Sequence, residues 1–119
     1  MNKNVKIYVG SYTNRPNLIK IGYTSQSISS RASQIGKDFT VIAYYTVDSD
    51  SKPLGLLLEA ILRYRLHNLK GYVFKNKWLN NDHFNTSHNI EKVLVDFTNI
   101  VENSLSLLGI TGYKKTVKG

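Results

Sequence analysis

The chain reads as an α+β domain: a small three-stranded antiparallel sheet flanked by helices, with an extra amphipathic helix toward the C-terminus. Three observations predict it. Two short stretches of alternating apolar and polar residues are separated by turn-forming residues, a third is dense in β-branched and aromatic residues, and two later stretches repeat their apolar residues at helical spacing. The 119 residues amount to one domain, long enough to bury a core.

Residues 5–9 (VKIYV) alternate Val5, Ile7 and Val9 with Lys6 and Tyr8, which is the period of a strand. Residues 10–17 (GSYTNRPN) are turn chemistry, and 18–23 (LIKIGY) form a second strand with Lys20 at its middle, so the two predict a hairpin. A short polar helix follows over 25–36, with Ser25 or Ser27 available as its cap and Gly36 as its stop. Residues 39–47 (FTVIAYYTV) predict the third strand, and 48–52 a loop. Pro53 suits the first turn of a helix over 53–69 that is apolar on nearly every face and is therefore expected deep in the fold. Around Phe74 and Trp78, residues 71–79 read as a strand or an extended loop, and 80–87 as a polar turn. In the helix over 90–108, Ile90, Val93, Leu94, Phe97, Ile100, Val101 and Leu105 share one face, and Glu91, Lys92, Asp96, Asn99 and Glu102 take the other. This organisation gives one domain over 1–109, with its core at 5–80, and a basic tail over 110–119 that is expected to fray.

Charge and composition narrow the function. The formal net charge is +8, which favours a polyanionic partner, foremost nucleic acid. No cysteine is present, which excludes a disulfide framework and a cysteine-based zinc site. No apolar run reaches the ~18–20 residues of a membrane span, and the first residues lack the apolar stretch of a secretory signal, so a cytoplasmic protein without membrane contact is expected.

Several residues invite chemistry. Glu59 is the one charge between Pro53 and Leu62, and a carboxylate in an apolar helix needs a partner or a cation. It either pairs with Arg63 one turn on or serves as ligand to a hard cation such as Mg²⁺, which takes one or two carboxylates plus waters and phosphate oxygens. Lys20 is either an outward lysine on the wet side of the hairpin or a cation facing phosphate. Arg31 is either exposed or a phosphate clamp, and Tyr8 taken alone is an ordinary strand tyrosine. Asp82, His83 and His88 fall in the polar turn without metal-ligand spacing and read as solvated.

Taken in order, these residues form a pattern. Ile7, Tyr8 and Val9, then Lys20, Ile21, Gly22, Tyr23 and Thr24, then the RxxQI run from Arg31 to Ile35, then Glu59 in LLLEAILRYRL, resemble the GIY-YIG endonuclease superfamily in its KIGYT-type phage and bacterial subgroup. KNKWLNN around Trp78 looks like the tryptophan-containing element that follows in that family. The chain departs from the pattern at Ile35, where many members carry histidine, and at Lys77, where the subgroup often has an acidic residue.

The resemblance implies a GIY-YIG-like fold and a metal-dependent endonuclease acting on nucleic acid, DNA more than RNA. It implies Tyr8, Lys20, Tyr23, Arg31 and Glu59 as catalytic residues, with Glu59 the ligand of Mg²⁺ or Mn²⁺. Arg31 would stabilise the growing charge on the phosphate, Tyr8 would position or deprotonate the attacking water, and a nearby Lys20 would favour its ionised form. Together with Arg31, the basic residues Lys77, Lys114 and Lys115 are expected to hold the nucleic acid. The alternatives are a module that binds nucleic acid without cutting it, and a phage-type inhibitor of a host enzyme.

Overall fold

The computed structural model describes residues 4–75 and 82–118. Its elements run β1 (Val5–Tyr12), β2 (Arg15–Thr24), α1 (Ile28–Ile35), β3 (Phe39–Val47), α2 (Lys52–His67), β4 (Tyr72–Phe74), β5 (His83–Thr86), α3 (Ile90–Leu107) and β6 (Tyr113–Val117). The class is α+β, but the sheet has six strands rather than the expected three, in the order β4-β5-β2-β1-β3-β6, with every neighbouring pair antiparallel.

The three extra strands are short or polar, and for that reason they do not read as strands in the sequence. β5 has four residues, HFNT, inside the stretch expected as a polar turn, yet Phe84 and Thr86 alternate inward and are buried. β4 has only three. β6 replaces the expected frayed tail: YKKTV pairs along β3 from Val47↔Tyr113 to Ala43↔Val117. Its two lysines suit an edge, where charge discourages pairing with another chain. The first hairpin is also tighter than expected, since most of residues 10–17 extends the strands and only residues 13 and 14 lie between them. The element around Trp78, together with Lys77, lies outside the described residues.

Two apolar clusters sandwich the sheet. On one face Ile7, Val9, Ile19, Ile21, Tyr45 and Val47 pack against Leu58, Leu62 and Leu66 of α2 and Val93, Phe97 and Val101 of α3. On the other, the shorter α1 seats Ile28, Ala32 and Ile35 over Tyr8, Tyr12, Leu18, Phe39 and Val41. The alternation of β1 sends neighbouring residues to opposite faces, so Ile7 and Val9 join the large cluster while Tyr8 joins the small one. α2 is not apolar toward protein on every side: Leu56 is 49% and Leu57 44% exposed, because the Gly55, Leu58, Leu62 and Leu66 stripe, flanked by Leu54, is the side that meets the core.

Candidate active site

A cavity of about 480 Å³ opens beside β2, where the ends of α1 and α2 approach the sheet from opposite faces. Tyr8 from β1, Lys20 and Tyr23 from β2, Arg31 from α1 and Glu59 from α2 all line it. Five residues that are separated by up to half the chain thus meet at one surface. Its charge is mixed, with Lys20, Arg31 and Lys52 set against Asp50, Glu59 and Asp82.

Local structure explains each placement. Ser27 caps α1 by accepting a hydrogen bond from the Ser30 amide, which turns Arg31 toward the sheet. The Arg31 guanidinium donates through Nε to the Tyr8 hydroxyl at 3.4 Å and through Nη1 to Gln34 at 3.3 Å. Tyr8 is fully buried, and its ring lies across Gly22, its cross-strand partner. A Cβ at position 22 would stand 2.3 Å from the Tyr8 hydroxyl oxygen, so glycine is needed there for space. The same holds for α2, where a Cβ at Gly55 would stand 2.6 Å from the Tyr23 ring. Gly22 and Gly55 are therefore what let the two tyrosines reach the cavity.

Lys20 is not an outward lysine: it is 6% exposed and its ammonium is paired with the Asp82 carboxylate. Asp82 is also bonded to His83 at 2.9 Å, and His83 in turn to the Tyr12 hydroxyl at 2.8 Å. Burial alone would raise the pKa of Asp82, but the hydrogen bonds from His83 and Lys20 outweigh it and hold the carboxyl well below the usual range. The expected activation of Tyr8 by Lys20 therefore finds a different arrangement: among the described contacts Lys20 serves Asp82, and Arg31 is the cation on Tyr8.

Glu59 takes the first of its two alternatives, the pair with Arg63, and does so at the cavity wall. It lines the cavity, and its Oε1 accepts from Arg63 Nη1 at 3.1 Å. No other hydrogen bond to it is seen among the described residues. Burial raises its pKa, and the charges of Arg63 and Lys20 only partly offset this. Among the described residues no group of three or more His, Cys, Asp or Glu side chains is arranged to hold a metal ion. The chemistry of the Glu59 carboxylate beside an open cavity is compatible with Mg²⁺, which keeps most of its waters and asks for one or two carboxylates.

Asp82 is the residue of this site that sequence reasoning assigned to solvent. The available signal was the alternation of His83, Phe84, Asn85 and Thr86, which extends the sheet at β2 and so brings the preceding aspartate against Lys20. Lys114 and Lys115 do not reach the cavity. They lie on opposite faces of β6: Lys114 pairs with Thr46, whereas Lys115 pairs with Tyr45 and borders a depression formed with Leu94, Val95 and Thr98 of α3. No helix among the described residues is long and apolar enough to cross a membrane. Comparisons with family models, with curated proteins and with solved structures gave no match to the chain.

Proposed function

We propose that this chain is a metal-dependent endonuclease of the GIY-YIG kind, hydrolysing phosphodiester bonds in nucleic acid, with DNA favoured over RNA. The observation that carries the reading is the convergence of Tyr8, Lys20, Tyr23, Arg31 and Glu59, drawn from four separate elements, on one open cavity. Structural needs alone would not gather a buried lysine, an arginine bonded to a tyrosine hydroxyl and a half-buried carboxylate around solvent. The net charge of +8 supplies the attraction for a polyanion.

In this reading a scissile phosphate enters between Arg31 and Lys20. Arg31 still has donors beyond its bonds to Tyr8 and Gln34, and these stabilise the charge that grows on the phosphate as water oxygen adds and the bond to the leaving oxygen breaks. Lys20, fixed by Asp82, adds a positive field that does not have to reorganise. Tyr8 orients the attacking water through its phenol oxygen, and Tyr23 lends a further hydrogen bond at the rim. The water loses its proton, and the leaving oxygen gains one to become a free hydroxyl. Glu59 would hold the Mg²⁺ or Mn²⁺ ion, whose chemistry when bound is to neutralise the phosphate and the departing oxygen.

The Glu59–Arg63 ion pair favours a second reading, a module that binds nucleic acid without cutting it, because the carboxylate already has a cation. Plasmid incubated with Mg²⁺ or Mn²⁺ and then with EDTA separates the two. Nicks that depend on the metal and vanish in Glu59→Gln support the nuclease, whereas a gel shift with intact plasmid supports the binder.

A further inference from the structure

The small-cluster face of the sheet is only half covered. α1 sits over the Phe39, Val41 and Tyr8 end, and of the two cross-strand rows beyond Val41 the β2 end is buried at Gly22, Tyr8 and Thr24, whereas the part on Lys6 and on β3 and β6 stays accessible. One row runs Gly22, Tyr8, Tyr44, Thr116, and the next runs Thr24, Lys6, Thr46, Lys114. Directly paired residues project from the same face, so each row is a line of neighbouring side chains. Both rows begin at the cavity, because Gly22, Tyr8 and Thr24 line it. Farther along, Lys6, Tyr44, Thr46 and Thr116 are half-buried and Lys114 is exposed.

We infer that this open half-face is a track for single-stranded nucleic acid leading into the cavity, with Lys6 and Lys114 on phosphates and Tyr44 stacked on a base. The inference rests on the nucleic-acid part of the proposed function and adds the strandedness of the substrate and its path. Charge supports it: the rows hold two lysines and no carboxylate, and among the described residues neither lysine is paired with an acidic side chain. Among the described residues the Lys6 ammonium donates its hydrogen bond to the Asn4 carbonyl, at 3.3 Å. Shape supports it as well. Four strands span about 14 Å at their usual spacing, enough for a few nucleotides laid across them. Tyr44 abuts the small cluster, so its ring is braced from below, as a stacking platform requires. A duplex hides its base faces and has no use for such a ring.

The test is fluorescence anisotropy of a labelled single-stranded thymidine oligomer, and of a duplex of equal length, read in the Glu59→Gln background. Lys6→Gln with Lys114→Gln is expected to weaken single-strand binding about tenfold. It should also flatten the slope of log affinity against log salt by about 1.4, because each phosphate that a lysine no longer neutralises removes roughly 0.7 on a single strand. Tyr44→Leu, which keeps the apolar packing below, is expected to cost about fivefold or more. Lys70→Gln, exposed just after α2 and away from both rows, should change neither quantity. Equal losses from Lys70→Gln and Lys114→Gln, binding indifferent to Lys6→Gln with Lys114→Gln, or a duplex held as tightly with the same lysine dependence would each overturn the track. Undiminished cleavage by the Glu59→Gln protein would instead count against the nuclease reading, so the two failures are distinguishable.

Discussion

Alanine in place of Gly22 tests whether the site is built around a close approach of backbone to ring. Gly22 needs no unusual backbone, since among the described residues only Gly71 and Gly109 have positive φ. Its cost to alanine is therefore steric: the new Cβ would lie 2.3 Å from the Tyr8 hydroxyl oxygen and 2.5 Å from Cζ. The ring cannot swing away freely, being fully buried, with Phe39 edge-on at 6.3 Å between centroids. Overpacking of this kind costs about 1–3 kcal/mol. The lower chain entropy of alanine returns roughly 0.5–1 kcal/mol. The net loss is about 1–2 kcal/mol, and a 119-residue chain has an unfolding entropy near 250 cal/mol/K, so Tm should fall by about 4–8 °C. Thermal unfolding by circular dichroism reads this directly. Tyr8→Leu removes the hydroxyl and the two ring carbons that the methyl meets, so in that background Gly22→Ala should be neutral or stabilising, a coupling of about 1–3 kcal/mol. An equal penalty in both backgrounds would refute the account that the Tyr8 side chain is what the methyl meets.

Glu59→Gln should abolish metal-dependent cleavage without lowering stability at neutral pH. Burial raises the Glu59 pKa, so this carboxyl favours the fold when protonated, below its ordinary range, and loses that contribution as pH rises through the raised value. The variant's melting temperature relative to wild type should therefore be highest near neutrality and decline as the pH falls toward 4, and the opposite trend would contradict the sign. Asp82→Asn should destabilise by roughly 1–3 kcal/mol in urea titrations, because it strips the counter-charge from a lysine that is 6% exposed. The Asp82 contribution has the reverse pH sense, being present above the ordinary carboxyl pKa of about 4 and fading as pH drops toward the depressed value. Arg31→Ala should slow single-turnover cleavage by at least about tenfold with a smaller change in affinity, since its free donors act on charge that appears only during reaction. A purely proportional loss of affinity would make Arg31 a binding residue.

The parts legible in the sequence are those in which local pattern and tertiary role agree. VKIYV, LIKIGY and FTVIAYYTV combine alternation with strong strand formers, and each became a strand of the central sheet. The apolar stripe of 90–108 became α3. The meeting of Tyr8, Lys20, Arg31 and Glu59 at one cavity was approachable only through the order of motifs that resembles the GIY-YIG pattern, since each residue taken alone has an ordinary reading. What stayed hidden depends on partners remote in sequence. HFNT and YKKTV carry too little local preference to announce strands, and pairing with β2 and β3 makes them so. Lys20 looked solvent-facing because nothing within its own strand reveals that Asp82, 62 positions on, arrives beside it. Lys114 and Lys115 read as one basic pair, and only the register of β6 sends them to opposite faces.

The placement of β5 against β2 bears on the order in which the molecule assembles. Lys20 and Asp82 close a loop of 62 residues, and β6 must travel farther still to reach β3. Local hairpins form early and distant pairings late, because the entropy of closing long loops has to be met before their contacts reward it. The β1–β2 hairpin should thus exist for a time with its lysine still hydrated and its flanking edge bare, and the cavity gains its buried cation only when β5 docks. The Ile21 amide donates to the Asp82 carbonyl at 3.0 Å, so alternation turns the neighbouring Gly22 amide toward Tyr8 across the hairpin. Refolding followed by pulsed hydrogen exchange should then protect the Tyr8 and Gly22 amides before those of Ile21 and Phe84. The charge at the floor of the site would be among the last parts of the protein to be installed.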